Sequence, residues 1–333
     1  MKKTLVSLAV LAISGSALAQ STVTLYGTAD AAVGKVPGGK VGMRTSSIVN
    51  TSDSFLGYRG TEDLGGGLKA GFQFEQGLSL HDGSTDEQSG YLTKTAYRRA
   101  ANIWLGGNWG TLRLGQAYTP SRNALAAWDL TGAARNSIAM HTFGPPGGET
   151  EERNSSQISY KTPDFGGFAA ELGYVFKPDN RDRSKVDLGL TYVNGPLSAG
   201  VSYNKTKGLK ANYAVGAQYR FGMFAVAGGY HHIENGVYYS GAASSLPVDG
   251  AVALASGFSL GGKAYFGNAS LLVSVARETK SEYDLNGINY KGKKLTNGVV
   301  EGRYAFSKRT FVYANYVRYI RTNNYGVGMR HDF

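Results

Sequence analysis

The sequence predicts an all-β fold, a transmembrane antiparallel β-barrel of about 16 strands, on three observations. The composition suits strands, apolar and polar residues alternate in repeated segments, and the connections are short and long in turn. Glycine supplies 47 of the 333 residues, tyrosine 22 and proline only 8. Glycine lowers helix stability and tyrosine favours strands, so this is a β composition. Mean hydropathy of −0.25 is compatible with a membrane barrel, because only every second strand residue has to be apolar.

The chain opens on an expected export signal, residues 1–19. Lys2 and Lys3 precede an apolar run from Leu5 to Ile13, and Ser16-Ala17-Leu18-Ala19 supplies the small residues of a cleavage site. That run is well short of the roughly 20 apolar residues of a spanning helix. The mature domain is then 20–333, and removing the leader lowers Lys plus Arg from 35 to 33 against 24 Asp plus Glu, a net charge of +9. A basic balance often indicates nucleic acid, but an exported chain does not normally meet it. With no cysteine, the fold is held by burial and backbone pairing rather than by disulfides.

Thr22 to Val33 is the first alternating segment, with Val23, Leu25, Ala29, Ala31 and Val33 on one face and Thr24, Tyr26, Thr28 and Asp30 on the other. The clearest is Phe168, Ala170, Leu172, Tyr174 and Phe176 against Ala169, Glu171, Gly173, Val175 and Lys177. The pattern continues in 186–192, 197–203 and 211–221, whereas strand limits between Met223 and Ala264 are not defined by it. A soluble sandwich also alternates. Aromatic residues at segment ends (Tyr174, Tyr192, Tyr203, Tyr219, Tyr304) favour the membrane barrel, whose two interfaces carry aromatic girdles. Tight links at Asp63–Gly67, Asn194–Pro196 and Phe306–Arg309 also take turns with polar stretches at Val36–Asp53, His81–Thr95 and Glu278–Leu295, as short periplasmic turns and long outer loops would. The longest connection runs from about Tyr118 to Glu152, and Trp128, Leu130, Ile138, Met140 and Phe143 argue against its being disordered.

Val23-Thr24-Leu25-Tyr26-Gly27, the stretch Gly60-Thr61-Glu62-Asp63-Leu64-Gly65-Gly66-Gly67-Leu68-Lys69-Ala70, Thr162-Pro163-Asp164-Phe165-Gly166-Gly167-Phe168 and the terminal Gly328-Met329-Arg330-His331-Asp332-Phe333 together resemble the general porins of β-proteobacteria, the Neisseria, Bordetella and Comamonas type. The resemblance spans the mature chain. It implies an outer-membrane homotrimer of 16-stranded barrels, surrounded by lipid and lipopolysaccharide, that passes small ions and hydrophilic solutes. It also implies a third loop folded into each pore, and a terminal Phe333 read by the barrel-assembly machinery.

In such a family the loop sets acids against arginines across the lumen. Asp129, Glu149, Glu151 and Glu152 are the loop acids and Glu75 a wall carboxylate. With Ile158 and Tyr160 facing outward, alternation turns Arg153 inward. Around Arg98-Arg99 the two arguments diverge: alternation from Ile103 and Leu105 selects Arg98, and the resemblance selects Arg99, which is preferred. Alternation adds Lys69, Lys161 and Arg303 as further lumen charges. A third family arginine is replaced by Phe55 in Ser54-Phe55-Leu56-Gly57, so the expected anion selectivity is moderate.

Other motifs carry less. Gly257-Phe258-Ser259-Leu260-Gly261 fits a nucleophile elbow but lacks a strand-turn-helix setting. His231-His232-x-Glu234 puts adjacent imidazoles on opposite faces of a strand, a poor chelate. Asn50, Asn154 and Asn204 begin glycosylation-type triplets that a bacterial porin has no reason to use. No catalytic residue, cofactor or metal is expected. The alternatives are an exported adhesin or binding barrel, which a soluble mature chain would favour, and an outer-membrane barrel hydrolase, which needs a Ser/His/acid set.

Intact-mass measurement of the protein from outer membranes is expected to give a chain beginning at Gln20, since Ala17 and Ala19 occupy the small-residue positions before it. A mass retaining Met1 to Ala19 would contradict the leader.

Overall fold

The computed structural model describes residues 22–85, 96–144, 152–180, 182–236, 252–285 and 288–333. The expected leader, Gln20, Glu149 and Glu151 lie outside these residues, as does part of the stretch His81–Thr95. Along the first half of the chain run β1 (Thr22–Lys35), β2 (Gly42–Arg44), β3 (Phe55–Gly65), β4 (Leu68–Gly77), β5 (Ala100–Gly107), β6 (Gly110–Tyr118), β7 (Arg153–Lys161), β8 (Phe168–Val175) and β9 (Lys185–Asn194). The second half holds β10 (Leu197–Thr206), β11 (Ala211–Phe221), β12 (Phe224–Gly236), β13 (Val252–Phe266), β14 (Ala269–Leu285), β15 (Ile288–Lys291), β16 (Thr296–Ala305), β17 (Thr310–Tyr319) and β18 (Thr322–Asp332). Two helices, α1 (Pro120–Trp128) and α2 (Ile138–Phe143), lie between β6 and β7.

All the strand pairs are antiparallel, and β1 pairs directly with β3 and β14 with β16, so the short β2 and β15 are loop ribbons on a closed wall of 16 strands. Closure is the pairing of β1 with β18, from Thr28↔Asp332 to Lys35↔Tyr325. It continues into the last residue, where Gly27 and Phe333 exchange backbone hydrogen bonds of 3.1 Å each. A Cβ on Gly27 would meet the Phe333 ring at 2.6 Å, so the glycine is what lets the terminal aromatic lie against the wall. Within the undefined stretch 223–264 the described residues form β12 and most of β13, joined to β11 at Phe221–Phe224 and to β14 at Phe266–Ala269.

The polarity of this sheet is inverted relative to a soluble protein. Val23, Leu25, Val33, Ile103, Leu172 and Val327 are exposed, while Asp30, Glu75, Glu171, Lys185, Asp187 and Glu301 are buried. Both sets follow the pleat: in β1, Leu25 and Val33 point outward and Thr28 and Asp30 inward. A water-soluble sheet would place the apolar set inside, whereas a barrel in lipid does the reverse.

The inside is narrowed by residues 119–144 of the connection between β6 and β7. Thr119 caps α1 by accepting from Arg122 N, and Pro120 takes the first helical position, where its missing N–H is no loss. The helix lies directly on the wall because four successive strands present glycine to it. A Cβ would meet the carbonyl oxygen of Pro120 at 2.3 Å from Gly189, that of Ala124 at 2.3 Å from Gly200, and the Trp128 ring at 2.4 Å from Gly216 and 2.3 Å from Gly229. Any side chain there would displace backbone or indole.

Replacing Gly216 with Leu is therefore expected to unseat Trp128 and α1 without opening the wall. The folded, heat-modifiable barrel should persist while single-channel conductance rises. Unchanged conductance in a folded variant would show that this track does not hold the loop.

Candidate functional site

Two loops enter the barrel. Residues 119–144 lie across the inner wall from β8 to β17, and residues 36–54 fold in from the other side. The first is tied at α1 by Ser121, whose N–H and hydroxyl both donate to Asp187 Oδ1 at 2.7 Å, and by Asn123 donating to Glu171 at 2.9 Å. At α2 it is tied by Asn136 donating to Glu301 at 2.6 Å and by the Tyr319 hydroxyl donating to the His141 carbonyl at 3.0 Å. Ile138 and Phe143 of α2 pack with Ile48 and Val49 of the other loop and with Leu272, Val299 and Val317 of the wall. The barrel thus has an apolar core made of its own loops.

The end of loop 36–54 is organised by one buried carboxylate. Asp30 Oδ2 accepts from Thr51 N (3.1 Å), Thr51 Oγ1 (2.5 Å) and Ser52 N (2.9 Å), and Oδ1 accepts from Asn50 Nδ2 (2.9 Å) and the Tyr313 hydroxyl. A buried carboxylate is tolerated when its lone pairs are all used. The network sets the approach to β3, and so the direction of Asp53.

Asp53 is the centre of an arginine cluster. Arg99 Nη1 lies 2.6 Å and Arg135 Nε 3.1 Å from its two oxygens, and Arg99 Nε is 3.4 Å from Glu75. Burial alone would raise the Asp53 pKa, but Arg135, Arg99 and Arg153 together outweigh it and hold the group down at about 2. Glu152 is a second hub, 3.8 Å from Arg122, 3.9 Å from Arg153 and 4.0 Å from Arg135. The guanidiniums are also stacked: Arg122 and Arg153 each lie 4.0 Å from the Tyr118 ring centroid, and Arg99 lies 4.3 Å from that of Phe55. Phe55, read as a lost arginine, is thus the platform beneath Arg99.

Of the residues singled out by sequence, Glu75, Arg99 and Arg153 come together here. Glu75 also accepts from Tyr26 Oη and Gln73 Nε2, each at 2.8 Å. Arg99 is 7 % exposed, whereas Arg98 is half-buried and its carbonyl accepts from Gln116. Alternation selects Arg98 only if β5 extends back to it, and β5 begins at Ala100. Arg153 lies on the lumen side by a different route from simple alternation. A bulge intervenes in β7, with Ser156 at φ 50° and a register shift opposite Gly115 and Ala117.

Asp129 turns its carboxylate to its own loop, accepting from Ala133 N at 2.8 Å and from Thr131. Arg303 is apart from the cluster, paired with Glu301 at 2.9 Å and lying over Phe311. Lys69 and Lys161 face the lumen nearer the tight turns, where Arg59 of β3 and Arg113 of β6 join them. These four cations stand on β3, β4, β6 and β7 and have no ion pair among the described residues. Arg59 and Arg113 were legible in the sequence, since Tyr58 and Leu112-x-Leu114 place them on the inward face. Arg122, Arg135 and Asp53 lie in loops, where no periodicity announces a direction.

The remaining motifs resolve as structure. Gly257–Gly261 lies within β13, and Ser259 hydrogen-bonds His231 Nε2 at 2.9 Å, but that imidazole is stacked against Phe143 with centroids 4.5 Å apart. No carboxylate hydrogen-bonds His231 among the described residues. His232 turns to Ser256 at 2.8 Å, so the two imidazoles diverge.

Comparison with known proteins gives the same picture along the whole chain. A family model described as Gram-negative porin matches residues 4–325. Outer membrane porin protein 32 of Delftia acidovorans is 35 % identical over 95 % of this chain and 88 % of its own length. A Bordetella pertussis outer membrane porin protein is 29 % identical over the full length of both chains. The solved anion-selective porin from Comamonas acidovorans is 28 % identical, covers 94 % of this chain and 100 % of its own, and superposes with a TM-score of 0.70. With a closed, inverted barrel and relatives that are outer-membrane porins along nearly its whole length, the chain belongs to the Gram-negative porin family and is an outer-membrane porin.

Proposed function

We propose that this passive diffusion channel for small hydrophilic solutes and ions has a moderate preference for anions. The observation that carries the reading is the charge left over at the narrowed lumen. Arg99, Arg122, Arg135 and Arg153 meet Asp53, Glu75 and Glu152, which leaves one positive charge. Arg59, Lys69, Arg113 and Lys161, set against Asp63 and Glu171 in register with the two lysines, then extend a lane of net positive charge toward the periplasmic turns.

The acids have a physical purpose. Four guanidiniums crowded together would repel, and buried charges need partners. The carboxylates hold them in place, and the cluster's surplus charge at the narrowing, continued by the lane, provides the field an ion meets in passing. At about 6 Å two unit charges interact by about 0.7 kcal/mol in bulk water and about 2.8 kcal/mol at an effective dielectric of 20. Low-dielectric walls focus the field, so a small net charge shifts ion occupancy several-fold at low salt. Near 1 M, where the Debye length is about 3 Å, the preference should fade. Asp129 plays a smaller part in this reading than Glu152 because its own turn uses it, and Glu149 keeps its place as a loop acid. The relative from Comamonas acidovorans is named an anion-selective porin, which supports the same direction here.

The assembly proposed is a homotrimer in lipid and lipopolysaccharide. Its insertion depends on recognition of Phe333 by the barrel-assembly machinery. The family is one of channels rather than enzymes, and neither alternative, adhesin or hydrolase, has an observation in its favour.

In a KCl gradient the reversal potential of the wild type is expected to indicate anion preference. An Arg99→Ala, Arg153→Ala double variant should lose most of it. A cation-selective wild type, or a double variant with unchanged selectivity, would show that these residues do not set the pore's field.

Changing Phe333 to Ser is expected to reduce the folded protein in outer membranes several-fold at equal synthesis, far beyond what one half-exposed ring contributes by burial. Equal amounts of heat-modifiable barrel in both would remove the assembly role.

A further inference from the structure

The outward aromatic belt near the long-loop end of the wall is broken on one side by arginines. Tyr213 and Tyr230 lie with ring centroids 6.3 Å apart, and Tyr230 and Phe258 5.1 Å apart. On the next strand, Arg277 is in register with Phe258. Its guanidinium donates to the Thr296 hydroxyl of β16, and Gly298 of β16 is in register with Arg318 of β17. Arg277, Thr296 and Arg318 are all exposed. They share the outward face with Val273, Val275 and Tyr316, so these guanidiniums belong to the lipid side and not to the lumen.

A charged side chain on a lipid-facing surface is unfavourable unless it reaches the interface and finds a partner. Neither arginine has an ion pair among the described residues. Between them the wall is bare. A Cβ on Gly298 would meet only Ser274 O at 3.5 Å and Val275 Cγ2 at 3.8 Å. With strands about 4.8 Å apart, β14 and β17 stand about 10 Å from each other, and two long guanidinium arms can converge over that gap from both sides. Beyond it, Lys280, Lys291, Lys293, Lys294 and Arg321 are exposed toward the loops, with Glu282 engaged by Lys280 at 3.3 Å.

We propose that Arg277, Thr296 and Arg318 form a clamp for a phosphate on the headgroup of an outer-leaflet glycolipid. Guanidinium forks match phosphate geometry and give charge-assisted bonds, the Thr296 hydroxyl adds a donor, and Gly298 leaves the space. The lysines above contribute the long-range attraction that gathers an anionic lipid at the rim. The clamp rests on the outer-membrane placement of the barrel but not on what the pore conducts.

The test uses full-length protein in non-ionic detergent, titrated with doubly phosphorylated lipid A and with the same lipid stripped of phosphate, binding being read by native mass spectrometry. The wild type should bind the phosphorylated lipid at least about tenfold more tightly than an Arg277→Gln, Arg318→Gln variant. Both should bind the stripped lipid alike, and millimolar inorganic phosphate should not release the lipid. Equal affinity of both proteins for phosphorylated lipid would overturn the clamp, as would a change in subunit number in the variant, which would make this face a contact between copies. Channel conductance, measured separately, should be the same in both proteins, so a loss of the clamp is distinguishable from a failure of the pore reading.

Discussion

Backbone amides and carbonyls that cross hydrocarbon have no water to bond, and each unpaired group there costs several kcal/mol. A sheet meets that condition only if it has no edge. Here the edge is removed by β1 pairing with β18, carried into the last residue by the Gly27–Phe333 exchange. Everything else in the molecule follows from that closure. Once the wall is a cylinder in lipid, the outward residues of each strand must be apolar and the inward ones are free to be charged.

A closed cylinder of this size leaves an interior that side chains alone do not fill. The chain occupies part of it with two of its own loops. The loops are held by a division of labour: apolar packing at Ile48, Val49, Ile138 and Phe143, and hydrogen bonds to buried wall carboxylates at Asp187, Glu171 and Glu301. The glycine lane through Gly189, Gly200, Gly216 and Gly229 lowers one part of the wall so that α1 lies flush with it. What remains open is bordered by β3–β7, where the cations stand.

The arginine cluster shows how charge is kept in a narrow space without losing its function. Arg99 is anchored by Asp53 and Glu75 and laid on Phe55, while Arg122 and Arg153 are laid on Tyr118. Stacking and ion pairing fix the guanidinium planes, and three acids cancel most of the repulsion. Asp53 owes its place to Asp30, a residue that forms no ion pair with an arginine among the described residues but organises the turn before β3.

Strand existence, facing and the even count were legible in the sequence, because alternation is a local property and each strand repeats it. In β8 through β11 the outward and inward sets agree residue by residue with the pleat, and Glu75 and Lys161 fall on the lumen side for that reason. Tertiary structure decided whatever depended on a break in the period or on a loop. The start of β5 at Ala100 separated Arg99 from Arg98, and the bulge at Ser156 set the approach of Arg153. Asp53, Arg122 and Arg135 met only when two loops distant in sequence folded into one lumen. A two-residue period carries information along a strand but none across the barrel, and the cluster exists only across it.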